Sequence, residues 1–249
     1  MKKVAISQSN YIPWRGYFDL INSVDEFILY DDMQYTRRDW RNRNKIKTSQ
    51  GPKWLTVPVQ VKGKFDQKIK DTLLDGHAWQ QNHFKTLQQY YKNARYFDDI
   101  LALLTPLYCD EIYTSLSDLN FKFLTSICRY LNINTKITHS MDYVLVEGKT
   151  ERLLSICQQS GASKYISGPA AKNYMDTALF AANNIAVTWF DHSGYVNYPQ
   201  LWGGFVSQVS ILDLLFNCGP TSINYLSKSN QAKPLLGKRG DYDQYSPCE

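Results

Sequence analysis

The sequence lacks most of the features that mark secreted, membrane-spanning or strongly polyanion-binding proteins. Its five cysteines, at 109, 128, 157, 218 and 248, are odd in number and never closely paired. Cys128 and Cys157 sit in apolar helical runs, where a thiol serves as a small core residue, so neither a disulfide scaffold nor a zinc site is expected. No apolar run approaches the roughly 20 residues that span a bilayer. The run after Lys2 and Lys3 already stops at Ser7, too soon for a signal peptide. The formal net charge is only +5, and the excess is local, whereas an extended phosphate track needs a stripe of charge. Signatures of hydrolases, P-loops, dinucleotide folds and zincins (GxSxG, GxxxxGK[ST], GxGxxG, HExxH) are absent. The expectation is a cytoplasmic chain in a reducing compartment, with no membrane insertion and nucleic acid disfavoured as a partner.

What the sequence does have is tyrosine, 18 of them among 249 residues, with aromatics at 14%. A ring with a polar tip suits pockets and interfaces. The length allows one large domain. Val4-Ala5-Ile6 reads as a short buried strand and Glu26 to Tyr30 as a second. Between them GYFDLINSV has apolar residues at 17, 18, 20, 21 and 24, a helical spacing. Strand, aromatic loop, helix and strand make the βαβ unit of a parallel sheet, with the loop at the carboxyl edge where open α/β folds hold ligands. Further strands are expected at 53–59, 135–139, 164–168 and 185–190, with Pro58 ending or edging its ladder. Helices are expected at 78–93, at 96–105 and 107–114 with a break at Pro106, at 116–131, at 151–159 closed by Gly161, and near 208–217 before Cys218-Gly219-Pro220. The expected fold is α/β, a Rossmann-like parallel sheet with helices on both faces and a helical segment around 78–131. Residues 1–227 form one domain in this reading, and 228–249 a polar tail.

Two stretches are dense in chemistry. NYIPWRGYFD, residues 10–19, follows the first strand and carries more aromatic surface than a turn requires. Tyr11, Trp14 and Tyr17 are read as gripping a base or sugar, with Arg15 beside them and Gly16 admitting a phosphate at the helix N-terminus. From Arg37 to Lys47 there are six basic residues against Asp39 alone. Arg38, Arg41 and Arg43, with Trp40, fit an anion pocket, because guanidinium binds carboxylate or phosphate in a fork. A solvated basic loop and a nucleic-acid groove are the alternatives. Asp31 and Asp32 end a strand, a place for carboxylates that hold Mg²⁺, for a strand-capping turn, or for ion pairs that fix the arginines. His83 lies one helical turn past Trp79, as a substrate-bonding or plain histidine; a metal role is not expected, and no metal site is assigned. Ser167-Gly168 after a strand could face an anion through its amides. Tyr198 and Gln200, in GYVNYPQLWGGF, read either as a sugar or nucleoside site or as a docked loop.

Taken in order, Gln8, YIPWRGYFDLI (11–21), YDDMQY (30–35), RRDWRNRNKIKT (37–48), WLTVPV (54–59), YISG (165–168) and SILDLLFNCG (210–219) resemble the WbqC-like family over nearly the whole chain. Gln8 and Gln34 join the candidate binding residues on that account. Ser9 departs from the family's usual Gln-Pro pair, a change in stiffness more than chemistry. The resemblance implies a bacterial protein of O-antigen and surface-polysaccharide gene clusters and fixes no reaction. The expected function is a transferase acting on a nucleotide-activated sugar, by acyl or aminoacyl transfer to an amino sugar, with Asp31, Asp32 and His83 as the catalytic candidates. A weaker likeness, to nucleotidylyltransferases and pantothenate-synthetase-type ligases, implies ATP or a sugar nucleotide with Mg²⁺. There Trp14-Arg15-Gly16-Tyr17 stands where those enzymes carry His-x-Gly-His. A non-catalytic glycan- or nucleotide-binding protein is the remaining alternative.

Overall fold

The computed structural model describes residues 1–226; the expected tail at 228–249 lies outside the described residues. Five strands form one parallel sheet: β1 (Lys3–Ser7), β2 (Glu26–Leu29), β5 (Lys136–His139), β6 (Lys164–Ser167) and β7 (Ala186–Trp189). Their spatial order is β5-β2-β1-β6-β7. Both β2 and β6 pair with β1, Val4 lying opposite Glu26 on one side and Tyr165 on the other. The chain therefore builds outward from β1 in one direction, returns, and builds outward in the other. That is the Rossmann-like winding, with its switch point between β1 and β6.

Alternation along the strands creates two cores. Ala5, Phe27, Leu29 and Ile166 pack into one cluster with Phe18 and Ile21 of α1 (Arg15–Asn22), Leu119 and Phe123 of α4 (Leu116–Tyr130) and Leu212 and Phe216 of α7 (Ile211–Cys218). Val4, Ile6, Ile28 and Tyr165 face the opposite way, onto Leu153 and Cys157 of α5 (Lys149–Gln159) and Phe180 of α6 (Thr177–Ala182). Period-two burial on both faces is what a covered parallel strand requires, and helices cover both sides as expected. Cys128 and Cys157 are buried core thiols.

The basic stretch holds a strand that its charges concealed. β3 (Arg43–Thr48) pairs antiparallel with β4 (Gly51–Thr56) in a separate hairpin, the ladder ending before Pro58. Asn44, Ile46 and Thr48 point inward, while Arg43 and Lys45 alternate outward. The helical segment comprises α2 (Ala78–Tyr91), α3 (Phe97–Thr105) and α4. Pro106 widens the chain instead of breaking it, into a π turn from Pro106 to Asp110 closed by Glu111 N–H donating to the Pro106 carbonyl at 3.2 Å.

Candidate functional site

Loops at the carboxyl edge of the sheet enclose a cleft of about 630 Å³. Three segments wall it. The turn after β1 supplies Asn10, Pro13, Trp14 and Arg15; the hairpin and its approach supply Trp40 and Asn44; the loop after β7 supplies His192, Tyr195, Asn197 and Phe205 among others. The first two segments are tied together: Tyr11 N–H donates to the Trp40 carbonyl at 3.1 Å, and the Arg41 guanidinium donates to Asn10 Oδ1. Asn44 Nδ2 donates to the carbonyls of Tyr11 and Ile12. Ile12 needs that clamp, because its φ of 37° is unfavourable for a β-branched residue. Past this bend the chain turns outward, so Tyr11 points into the core and Trp14 into the cleft.

Arg15 is 5% exposed at the first position of α1. Its Nη1 donates to the Val196 carbonyl at 2.7 Å, and its guanidinium lies 4.9 Å from the Tyr195 ring and 5.3 Å from that of Tyr198. Burial lowers its pKa, opposed by Tyr198, Tyr195 and Asp19. No carboxylate among the described residues pairs with it, and its Nε has no partner there. A desolvated guanidinium held by carbonyl and ring faces retains its attraction for an anion. His192 packs on Trp14 at 5.3 Å and on Phe190 at 4.8 Å. Burial lowers its pKa against the pull of Asp191, so it is a neutral base near pH 7.

The family model of the WbqC-like protein family matches residues 8–225. The chain belongs to the WbqC-like protein family. It is 58% identical, over 231 residues, to the uncharacterised protein Rv1507c of Mycobacterium tuberculosis, covering 93% of this chain and 100% of that one. No solved structure matches it.

In this WbqC-like chain the expected site residues divide. Trp14, Arg15 and Trp40 line the cleft. Gly16 lies under it, though in a different role from the one expected. A Cβ there would sit 2.4 Å from the Trp14 indole, so the glycine makes room for tryptophan and not for phosphate. Arg41, mostly buried, braces the turn from below. Arg43 stacks 4.1 Å over Trp54 and donates to the Arg38 carbonyl, while the Arg38 side chain is exposed. Tyr198 and Gln200 lie behind Arg15, both donating to Asp213 Oδ1.

The remaining residues lie elsewhere. Tyr11 is fully buried, its hydroxyl 2.6 Å from that of Tyr108 and 3.0 Å from His83 Nδ1. His83 is buried with it, and that burial pushes its pKa down to about 4 despite a backbone hydrogen bond with Thr56. Tyr17 is buried and donates to the Gln8 carbonyl. Asp31 is fully buried and accepts from Ser9 N–H at 2.9 Å and Ser117 Oγ at 2.5 Å. Asp32 accepts from Ser140 Oγ at 2.8 Å and pairs with Lys70 at 2.5 Å. With their oxygens spent on these partners, the two carboxylates do not fit a Mg²⁺ site, and neither is among the cleft's lining residues. Among the described residues no cluster of three or more metal-ligating side chains occurs. Ser9 contributes more than stiffness, since its amide, which proline lacks, bonds Asp31 and its Oγ accepts from Asn120. Gln34 donates to the Phe65 carbonyl away from the cleft. Ser167 and Gly168 end β6 without lining it.

Sequence reasoning missed Asn10, Asn44, His192 and Phe205. For His192 a signal existed: Asp191-His192-Ser193-Gly194 directly follows a strand, the usual seat of reactive groups in parallel sheets.

Proposed function

We propose that the cleft binds a nucleotide-activated sugar and that the protein is a cytoplasmic transferase of bacterial surface-polysaccharide assembly. The observation that carries this reading is Arg15, a buried guanidinium on the cleft wall with no carboxylate ion-pair partner among the described residues. Around it, Trp14 and Tyr195 offer ring surface to a base or sugar, and Asn10, Asn44 and Asn197 offer amides for hydroxyls. The volume of about 630 Å³ suits a ligand of that size. Family membership supports the polysaccharide setting, and the lack of any long apolar helix among the described residues is compatible with the cytoplasm.

The reaction that fits best is acyl or aminoacyl transfer to an amino sugar. The amine nitrogen bonds the carbonyl carbon of an activated acyl donor as the bond from that carbon to the donor's leaving group breaks, the leaving group departing with the electron pair. The amine must also lose a proton, and neutral His192 on the cleft wall is the group suited to accept it. A ligase-like version, in which ATP first activates a carboxylate, would use Arg15 against the phosphates. The test is the melting temperature of the full chain with a panel of sugar nucleotides and with ATP. At 100-fold its Kd a ligand adds about 2.7 kcal/mol, or about 5–10 °C for a domain of this size. At least one sugar nucleotide is expected to give that shift, and Arg15→Met to remove it. No shift with any of them refutes the reading.

A further inference from the structure

We infer that the outer face of the hairpin, at the mouth of the cleft, is a second binding site, for an anionic sugar carrying a phosphate or a carboxylate. Trp40 lines the cleft and also packs on Trp54, ring centroids 5.4 Å apart. Arg43 lies 4.1 Å and Lys45 4.8 Å from the Trp54 ring, Lys45 directly opposite Trp54 in the ladder. Both indoles remain more than a third exposed (40% and 38%). No carboxylate among the described residues forms an ion pair with Arg43 or Lys45. Asp39, the nearest acid in sequence, is already engaged by Thr36 Oγ1, Trp40 N–H and Arg41. The hairpin thus presents two cations without an ion-pair partner among the described residues, Asp39 acting on Arg43 only at a distance, both held at an indole beside a ring that faces the cleft.

The occupancy of the rings decides the ligand class. Trp54 is committed to Trp40 and the two cations, so successive bases of a nucleic acid have no ladder of free rings to stack on. Trp40 has its cleft side left, enough for one sugar face, and Arg43 with Lys45 suits one anionic group. The site is separate from Arg15 and adjoins it, an arrangement for two substrates meeting in one cleft. It rests on the nucleotide-sugar reading only for that last step.

The test is calorimetric titration of the full chain with glucose 1-phosphate, glucuronate and neutral glucose, and with a single-stranded oligothymidylate. One or both anionic sugars are expected to bind at least ten-fold more tightly than glucose; which one does separates phosphate from carboxylate. Arg43→Gln with Lys45→Gln is expected to weaken that binding at least ten-fold while the sugar-nucleotide melting shift persists. Lys45→Gln alone, a milder change with circular dichroism as a check on folding, is expected to weaken it several-fold. Equal binding of glucose, no effect of the double substitution, or tighter binding of the oligothymidylate with steep loss in salt would overturn the inference. If sugar nucleotides give no melting shift but anionic sugars still bind through Arg43 and Lys45, the reading of the inner cleft falls and this site stands.

Discussion

Two regions of the molecule are built from the same residue types and do opposite things. Beneath the turn after β1, Tyr11, Trp79, His83, Tyr108 and Phe123 form a closed aromatic cluster whose ring centroids lie about 5–6.5 Å apart. Above it, Trp14, His192 and Tyr195 form an open one around Arg15. A single segment, Asn10 to Arg15, feeds both, and the bend at Ile12 decides which side chain goes where. In the closed cluster Tyr11 binds both Tyr108 and His83, and its one tip without a partner among the described residues, the Trp79 indole N–H, lies away from the cleft. In the open one, Arg15 Nε and His192 Nδ1 have no partner among the described residues. Composition does not distinguish a core from a site; unmet hydrogen-bonding capacity beside a cavity does.

The sharpest way to break this comparison is to truncate one ring in each region. Tyr11→Ala should cost about 3–5 kcal/mol in denaturant unfolding, the range for a fully buried ring, and it also strands the tips of His83 and Tyr108. Trp14→Ala should cost less than about 1.5 kcal/mol and instead abolish the sugar-nucleotide melting shift. Equal stability losses would erase the distinction.

Next comes the support behind Arg15. Asp213, raised in pKa by burial against hydrogen bonds from Tyr91, Tyr198 and Gln200, holds the ring that backs the guanidinium. Asp213→Ala takes the acceptor from two buried hydroxyls, those of Tyr91 and Tyr198, while Gln200 Nε2 keeps the Val206 carbonyl, and should cost about 3 kcal/mol by the same unfolding measurement.

The closed cluster also predicts a pH dependence. His83 has a pKa of about 4 in the fold against 6.5 unfolded, so between those values the unfolded chain binds a proton that the fold refuses. The His83 contribution is therefore intact above about pH 6.5 and declines as pH falls towards 4, by roughly 3 kcal/mol at most. Unfolding at pH 7 and pH 4.5 should differ less in His83→Gln than in the parent; an unchanged difference would put His83 in the open class. The smallest expected effect is Gly16→Ala. It should alter stability by less than about 1 kcal/mol yet weaken ligand binding, since the new Cβ displaces the Trp14 indole.

Much of the fold was legible because its strands are apolar and its helices periodic: Val4-Ala5-Ile6, Glu26 to Leu29 and the 116–131 run announce themselves. β3 did not, since basic residues alternate with Asn44, Ile46 and Thr48 along Arg43-Asn44-Lys45-Ile46-Lys47-Thr48, and charge, carried inward even by the buried Lys47, masks the period of two. At the site, Trp14, Arg15 and Trp40 stood out as aromatic and cationic residues in a turn with no structural need for them. Tyr11 and Tyr17 stood out for the same reason yet are core, because the direction of a side chain past an irregular bend is a tertiary property. Asp31 and Asp32 read as strand-end carboxylates. Groups brought in by other segments, Ser9 N–H and Ser117 for Asp31, Ser140 and Lys70 for Asp32, make them internal acceptors. His192 lies in a loop without period, so its place just after a strand was the one signal for it.

The most direct test is a crystal soaked with whichever sugar nucleotide raises the melting temperature. The account predicts density in the cleft, with rings against Trp14 and Tyr195 and an anionic group within hydrogen-bonding distance of Arg15. Density bound elsewhere, at the Ser167-Gly168 turn for instance, with Arg15 still turned to the Val196 carbonyl alone, would contradict it.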